Sequence, residues 1–83
     1  MTLPKAALDF LNSKADDANV PRPMADDDLY KIGVLNSIEV VELVALLEES
    51  CGIGIPDEDV NDRNFQSINS IERYLESLKS EHG

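Results

Sequence analysis

One segment near the middle of the chain carries a complete set of signals for an amphipathic helix. Asn36 is a preferred N-cap residue, and Glu39, three positions later, completes the pattern of a capping box. Apolar residues then recur at helical spacing as far as Cys51, and Gly52 follows as a C′ glycine. The apolar stripe consists of Val40, Val41, Leu43, Val44 and Leu47. Because such a stripe must be buried against other elements, the rest of the chain has to supply packing partners.

The same periodicity predicts a helix near each end of the chain. The first runs from about Pro4, which suits a first helical position, to Ser13. The last has Ser67 as its N-cap and frays from Lys79 onward. Its apolar positions are Ile68, Ile71, Leu75 and Leu78. We therefore expect one domain over residues 1–79, followed by a flexible C-terminal tail at residues 80–83.

Two less regular segments connect these helices. Residues 14–28 are polar, contain Pro21 and Pro23 and show no sustained period, which predicts a long loop. Residues 57–64 predict a short helical turn or two, anchored by Val60 and Phe65. The apolar side chains expected to hold the long loop to the core are Val20, Met24, Leu29, Tyr30 and Ile32. With neither repeats nor strand-like alternation, the sequence predicts an all-α, four-helix bundle of three main helices and one short helix.

Composition limits the core and the partners. Trp is absent and aromatic residues make up 5% of the 83 residues, so the core must be aliphatic. The formal net charge of −10 disfavours nucleic acid and anionic membrane surfaces and attracts basic protein patches, although it is equally consistent with a role in solubility alone. One cysteine cannot form an internal disulfide, and neither a signal peptide nor a membrane span is predicted. We expect a soluble, cytoplasmic monomer.

The residues that could support catalysis or metal binding are few. His82 stands alone near the C-terminus, and Cys51 falls on the apolar stripe, where a buried small hydrophobic residue is expected. The acidic run from Asp57 matches the first three ligand positions of an EF-hand loop, but Asp62 stands where glycine is needed. Ile68 also stands where the bidentate glutamate is needed. We therefore expect no metal site and no catalytic residue.

Ser37 is the strongest candidate for a functional residue. It lies in the first turn of the central helix, where free backbone N–H groups and the helix dipole favour an anion such as a phosphate ester. A serine that only caps the helix is the alternative, and from position alone it is the commoner case.

The residues around Ser37 belong to a longer pattern. The matching segments are Leu35-Asn36-Ser37-Ile38, Val41-Glu42-Leu43-Val44, Leu47-Glu48-Glu49, Gly52-Ile53-Gly54-Ile55-Pro56-Asp57-Glu58, Ser67-Ile68 and Tyr74-Leu75. In this register, residues from about 28 to 78 resemble the acyl carrier protein family, which includes peptidyl and D-alanyl carrier proteins. The serine motif alone is a weak signal, whereas the segments in register are specific.

The resemblance implies a carrier and not an enzyme. Ser37, flanked by Asn36 and Ile38, would receive 4′-phosphopantetheine from coenzyme A through a separate phosphopantetheinyl transferase. The thiol of that arm would hold an acyl or aminoacyl group as a thioester and carry it between enzymes. The absence of a histidine near Ser37 in sequence suits a residue that another enzyme modifies.

The resemblance also implies a docking surface on the central helix. Its acidic residues would face basic patches on an activating ligase, an acyltransferase or a synthase. Ile38 and Ala45 would lie near the apolar centre of that contact. The acidic docking residues would be Glu39, Glu42, Glu48 and Glu49. Without the resemblance, these glutamates would be interpreted as a solvated helix face.

Several details refine the resemblance. The family usually has Asp where this chain has Asn36, a change that preserves capping and removes a negative charge that bears on transferase recognition or on Mg²⁺ handling near the site. Gly33 stands four residues before Ser37, and Asp62-Arg63 precedes Phe65, as in the D-alanyl and aminoacyl branch. We therefore expect a stand-alone carrier for an amino acid or a specialised acyl group. An acidic helical adaptor and a degenerate, unmodified carrier are the alternatives.

Overall fold

The computed structural model describes residues 3–82, with side chains described as far as residue 79. Across residues 3–82 all regular secondary structure is helical, so the all-α prediction is confirmed. The α-helices are α1 (Lys5–Asp17), α2 (Glu39–Cys51), α3 (Asp62–Phe65) and α4 (Ile68–His82), with a 3-10 turn at Asp57–Asp59. Three main helices, one short helix and a long loop between α1 and α2 match the predicted architecture.

Helix α1 is longer than its sequence pattern indicates. It ends at Asp17 rather than Ser13. Ala15 is fully buried, one turn after the buried Leu11. The buried face of α1 therefore continues through a segment whose charged residues lead to the prediction of a loop. The helix then closes with Asn19 in the left-handed region (φ 59°), which brings the Val20 N–H within 3.0 Å of the Ala15 carbonyl.

The loop from residue 18 to residue 38 is held to the helices chiefly by Leu29. This side chain is fully buried, and its backbone N–H donates to the carbonyl of Gln66 at 2.7 Å. The Leu29 carbonyl in turn accepts from the N–H groups of Val34 and Leu35, at 2.9 and 3.0 Å. The predicted loop anchors that pack against the core are Val20, Leu29, Tyr30 and Ile32.

Met24, the remaining predicted anchor, does not pack against the core. Its side chain is 75% exposed, so this prediction is wrong. Hydrogen bonds hold this part of the loop instead: the Met24 N–H donates to the Asp27 carboxylate at 2.7 Å, and the Asn69 N–H donates to the carbonyl of Ala25 at 3.0 Å. Because these bonds fix the turn, its apolar side chain does not need to be buried.

The buried face of α2 is narrower than predicted. Val40, Leu43 and Leu47 are buried, and Val44 is half-buried. Val41, which the sequence pattern places in the buried stripe, is 62% exposed, so this prediction is wrong. Consecutive helix residues point about 100° apart, and Val40 and Val41 therefore cannot both face the same core.

The C-terminal end of α2 has the predicted glycine cap. Gly52 adopts a left-handed conformation (φ 66°) and donates its N–H to the carbonyl of Glu48 at 2.9 Å. Cys51, expected to be buried, is half-buried at this end of the helix. The Glu48 side chain also accepts a hydrogen bond from the N–H of Ile55 at 2.9 Å and so directs the chain after the helix.

Residues 57–65 form two short helical pieces, within the predicted turn or two. Asn61 separates them and caps α3, because its side chain accepts from the N–H of Asn64 at 3.0 Å. Phe65 is fully buried, as predicted, with its ring centroid 5.9 Å from that of Tyr74. The Tyr74 hydroxyl donates to Asp59 at 2.6 Å and ties the 3-10 turn to α4.

Helix α4 begins as predicted. The hydroxyl of Ser67 accepts the N–H of Ser70 at 3.1 Å, which confirms Ser67 as the N-cap. The backbone is helical as far as His82, and the predicted fraying from Lys79 and flexible tail at residues 80–83 stay predictions. The side chain of His82 and all of Gly83 lie outside the described residues. The domain boundary at residue 79 stays a prediction.

The core joins all four helices and the long loop. Phe65 is its one fully buried aromatic residue in the described part of the chain, which agrees with the predicted aliphatic core. The buried side chains are Leu3, Ala7, Leu11, Ala15, Leu29, Val34, Leu35, Val40, Leu43, Leu47, Ile55, Phe65, Ile68, Ile71, Leu75 and Leu78. Because Val34 and Leu35 belong to this core, the turn that follows them is held against the helices.

Candidate functional site

Asn36 is the residue that caps α2. Its Oδ1 accepts hydrogen bonds from the backbone N–H groups of Ile38 and Glu39, at 2.9 and 2.8 Å. The first helical bond runs from the N–H of Val40 to the carbonyl of Asn36 at 2.9 Å, and Ile38 already has helical angles (φ −83°, ψ −46°). The predicted cap is therefore confirmed, and the first turn of α2 begins directly after Asn36.

The capping box differs from the usual arrangement in one contact. The Nδ2 group of Asn36 donates to Oε1 of Glu39 at 2.9 Å, so the carboxylate meets a side-chain amide rather than a backbone N–H. The two N–H groups at Oδ1 define which side of the Asn36 amide is oxygen. The other carboxylate oxygen of Glu39, Oε2, is buried and without a hydrogen-bond partner among the described residues.

Ser37 has no part in capping, because Asn36 fills that role. Its side chain is exposed, and none of the hydrogen bonds within the described region involves its hydroxyl. The alternative in which Ser37 only caps the helix is therefore not supported. Its backbone is nevertheless held on both sides, by the buried Leu35 and by the first turn of α2. The result is a free hydroxyl on an ordered turn.

A groove of about 580 Å³ opens beside Ser37. One wall is α2, and the other is the segment that contains the 3-10 turn and the start of α3. The lining residues are Tyr30, Ser37, Val40, Val41, Val44, Asp57, Val60, Asn61 and Asp62. On the α2 wall Ser37 precedes the valines in sequence, so the groove extends from the serine along the helix.

Tyr30 connects the long loop to this groove. Burial raises the pKa of the Tyr30 hydroxyl, and the negative charges of Asp62 and Asp28 raise it further. The hydroxyl is therefore protonated throughout the neutral range and is a hydrogen-bond donor. Tyr30 and Asp62 both line the groove.

The outer face of α2 has an exposed apolar stripe. Ile38 is 72% exposed and Val41 is 62% exposed, and their spacing of three positions makes them neighbours on the helix surface. Ala45, one turn beyond Val41, is exposed on the same face. Exposure of large apolar residues on a small, highly charged domain is typical of an interaction surface.

The four acidic residues of α2 predicted for docking fall into two groups. Glu42 and Glu49 are exposed, and neither has a partner among the described residues. Glu39 and Glu48 are half-buried, and both accept hydrogen bonds from within the chain, from Asn36 and from Ile55 respectively. The structure therefore gives Glu39 and Glu48 an internal stabilising role that the sequence pattern does not reveal.

Two further properties of the described residues bear on the site. No group of three or more His, Cys, Asp or Glu side chains in this part of the chain is arranged to hold a metal ion. The helices of the described region are also too short or too polar for any of them to cross a membrane.

Comparison with known proteins places these features in a family. The family described as "Phosphopantetheine attachment site" matches residues 11–75, and this range contains Ser37 and the groove. The chain belongs to the phosphopantetheine-binding carrier proteins. The carrier protein is not an enzyme: its cofactor is 4′-phosphopantetheine, on which the family holds its cargo as a thioester. An acidic adaptor without a prosthetic group is not favoured.

Individual relatives agree with this assignment. D-alanyl carrier proteins of Streptococcus pyogenes serotype M5 (strain Manfredo) and serotype M49 (strain NZ131) are 32% identical to the carrier protein over 56 residues. The match covers 68% of this chain and 71% of each relative. The fold is similar to that of a chain in the crystal structure of Bradyrhizobium japonicum glycine:[carrier protein] ligase complexed with glycylated carrier protein, with a TM-score of 0.67. That similarity has 23% sequence identity and covers 83% of this chain and 92% of the other.

The sequence does not predict several of the residues that line the groove of the carrier protein. Tyr30 is predicted only as a loop anchor, and Asp57 and Asp62 enter only through the rejected calcium loop and the family resemblance, with no contact to cargo expected. The structure brings all three to one groove with Ser37. Val41 is misassigned to the core, although its spacing of three from Ile38 is a signal that could have placed it on the outer face.

Proposed function

We propose that Ser37 is the residue that carries 4′-phosphopantetheine, and that the carrier protein transports an aminoacyl or short acyl group between enzymes. The observation that supports this most directly is the exposed, unengaged hydroxyl of Ser37, which Asn36 frees by capping α2 itself. The surroundings fit the group: the hydroxyl faces solvent, and the adjacent groove gives a long arm a surface to lie on. When bound, the arm supplies a thiol that forms the thioester.

In the bond-forming step of attachment, this chain supplies the accessible hydroxyl of Ser37. The Ser37 Oγ attacks the phosphorus of coenzyme A that bears the pantetheine, and an Oγ–P bond forms. The P–O bond to adenosine 3′,5′-bisphosphate breaks, and that group leaves. The hydroxyl proton goes to a base of the transferase, because no described side chain of this protein hydrogen-bonds to Ser37.

The first turn of α2 influences how a phosphodiester at Ser37 is tolerated. The positive end of the dipole of this 13-residue helix attracts the group, whereas Glu39 and Glu42 in the same turn repel it. Asn36 caps the helix without adding a third negative charge, and its amide group engages one oxygen of Glu39. This arrangement offsets part of the repulsion around Ser37.

The relatives support an amino acid as the cargo and a ligase as a partner. The matching Streptococcus pyogenes proteins are D-alanyl carrier proteins, and the similar fold occurs in a complex of a glycine:[carrier protein] ligase. We therefore infer an amino-acid-activating ligase as the loading enzyme and an acyltransferase or synthase as the receiving enzyme. The reaction would take place in the cytoplasm, where coenzyme A is made, with the carrier protein as a monomer. Neither nucleic acid nor membrane insertion is part of the proposed role.

The outer face of α2 is the proposed docking surface for these partners. Ile38, Val41 and Ala45 form its apolar centre, and the exposed Glu42 and Glu49 form its charged border. A partner that presents basic residues around a small apolar patch would be complementary to this surface. Charge at the border accelerates encounter, and the small apolar area allows rapid release.

The attachment site is tested by modification of the purified protein. Incubation with coenzyme A, Mg²⁺ and a broad-specificity phosphopantetheinyl transferase should add one phosphopantetheinyl group, seen by intact mass. Ser37→Ala should abolish the addition, and Ser50→Ala, which changes another exposed serine of α2, should leave it unchanged. No mass increase with several transferases, or an unchanged increase in Ser37→Ala, would contradict the proposal.

The docking surface is tested by charge reversal. Glu42→Lys with Glu49→Lys should lower the kcat/KM of the loading enzyme roughly tenfold, or about 1.4 kcal/mol, mainly through KM. Asp9→Lys with Asp17→Lys changes the net charge equally on the exposed face of α1 and serves as the control. An equal loss in both double variants would indicate that net charge, and not this surface, determines recognition.

A further inference from the structure

The groove beside Ser37 has two walls of different chemistry. The α2 wall presents the valines at positions 40, 41 and 44, whereas the opposite wall presents Asp57 and Asp62 around Val60. Val40 of the α2 wall belongs to the buried core, so the groove lies against that core. A ligand that fits this groove therefore combines a small aliphatic part with a positive charge.

The carboxylates of this wall are available for such a ligand. Among residues 3–79, neither Asp57 nor Asp62 takes part in a side-chain hydrogen bond or an ion pair. Both are exposed, and no basic residue lines the groove. The Tyr30 hydroxyl also lacks a partner among these residues and, being protonated, can donate to a carbonyl oxygen.

We propose that this groove holds the cargo end of the arm when the cargo is a short aliphatic amino acid, with its α-ammonium group against Asp57 and Asp62 and its side chain against Val40 and Val44. This inference rests on the proposed attachment at Ser37. The occupant follows from charge complementarity and from continuity, because Ser37 lines the same groove and tethers the arm there. A neutral acyl group of the same shape would contact the valines and leave both carboxylates unpaired.

The geometry along α2 suits a small cargo. Val40 and Val44 are one helical turn apart, or about 6 Å along the axis, which matches a few carbon atoms rather than a long acyl chain. The groove is open to solvent, and the side chains beneath it are already buried against one another. The aminoacyl group would thus lie on the surface, from which a partner enzyme can retrieve it without opening the core.

The proposal is tested with two matched cargoes. The protein is loaded by a transferase from stable coenzyme A analogues in which an amide replaces the thioester, one carrying an alanyl group and one an isobutyryl group. These groups differ only in an ammonium in place of a methyl. The readout is the methyl NMR shifts of Val40, Val44 and Val60 at pH 6.5, and intact mass verifies loading.

The alanyl form should occupy the groove about threefold more than the isobutyryl form, the ratio expected for a solvent-exposed ion pair. Asp57→Asn with Asp62→Asn should reduce the alanyl shifts to those of the isobutyryl form. Asp9→Asn with Asp17→Asn, which removes the same charge from α1, should leave the difference unchanged. The difference should also shrink as salt is added, because the pair is exposed.

The possible failures are distinguishable. Equal valine shifts for the two cargoes, or a difference that survives Asp57→Asn with Asp62→Asn, would overturn the groove proposal while leaving attachment at Ser37 intact. Failure of either analogue to add mass at Ser37 would instead overturn the proposed function, and the groove proposal with it.

Discussion

The contact between Asn36 and Glu39 predicts that replacing Asn36 with the residue usual in the family will destabilise this protein. In Asn36→Asp the Oδ1 cap is retained, but a carboxylate oxygen replaces the Nδ2 group that donates to Glu39 at 2.9 Å. A hydrogen bond is thereby exchanged for the repulsion of two negative charges. The substitution conserves shape, so the effect is electrostatic.

The magnitude follows from three contributions. Relaxed to about 4 Å, with the exposed side chain at position 36 facing water, the two carboxylates repel by about 1 kcal/mol. The lost hydrogen bond costs about 1 kcal/mol more. Interaction of the new charge with the N-terminal end of α2 stabilises the folded state by about 0.5 kcal/mol. The free energy of unfolding should therefore fall by about 1.5 kcal/mol at pH 7, which lowers Tm by roughly 6–12 °C for a domain of this size.

The assay is urea unfolding followed by circular dichroism at low salt, at pH 7 and near pH 3.5. The loss should diminish at the lower pH, because protonation of one carboxylate removes the repulsion and restores a donor. Asn36→Asp combined with Glu39→Gln should regain most of the wild-type stability at pH 7, since the glutamine amide donates to the new carboxylate. Asn36→Ala, which removes both the cap and the hydrogen bond to Glu39, should cost about 2 kcal/mol at pH 7 and introduces no repulsion for acid pH to relieve.

Two results would refute this reasoning. One is an Asn36→Asp protein that is as stable as the wild type at pH 7 and low salt. The other is a loss of stability that Glu39→Gln does not repair, because the repulsion would then not involve Glu39.

Three further predictions concern the fold. Phe65→Ala should lower the free energy of unfolding by about 3–5 kcal/mol, measured in urea, because the ring is fully buried; a loss below 1 kcal/mol would contradict its place in the core. Asn19→Ala should lower Tm, by the equivalent of about 1 kcal/mol, because alanine adopts the left-handed conformation less readily than asparagine; an unchanged Tm would contradict that conformation. The hydrogen bond from Gln66, followed by those from the Lys31 and Tyr30 N–H groups, lowers the pKa of Asp28. The ionised Asp28 carboxylate therefore stabilises the fold at pH values above its pKa in the unfolded chain, and this stabilisation is lost as pH falls through the lower pKa of the folded state. Asp28→Asn should therefore reduce the pH dependence of the free energy of unfolding between about pH 5 and pH 2. The same loss of stability with falling pH in wild type and variant would exclude this role.

Much of the fold could be predicted because its signals are local. The Asn36 cap, the Gly52 end of α2 and the Ser67 cap each depend on hydrogen bonds within a few residues, and all three occur as predicted. The extension of α1 to Asp17 could not be predicted, since it depends on burial of Ala15 against elements distant in sequence. The exposure of Met24 likewise depends on a loop turn that is fixed to α4.

The candidate site divides in the same way. The sequence predicts the family, which is confirmed, and proposes Ser37 as the attachment residue, because the helix start, the acidic helix and the Gly-Ile-x-Ile-Pro segment are contiguous patterns. It does not distinguish the exposed Glu42 from Glu48, which accepts the Ile55 N–H. Two residues with the same charge on the same helix thus differ in role only through what packs against them.

By itself, the sequence predicts an all-helical carrier and proposes the serine to which its arm would be attached, because caps, helical periodicity and the serine motif act over a few neighbouring residues. Only the tertiary structure decides that Asn36 caps α2 and leaves Ser37 free, and that Tyr30, Asp57 and Asp62 meet the valines of α2 in one groove. The physical reason is that a groove forms between segments whose separation in space is set by the burial of the whole core, and no local pattern encodes that distance.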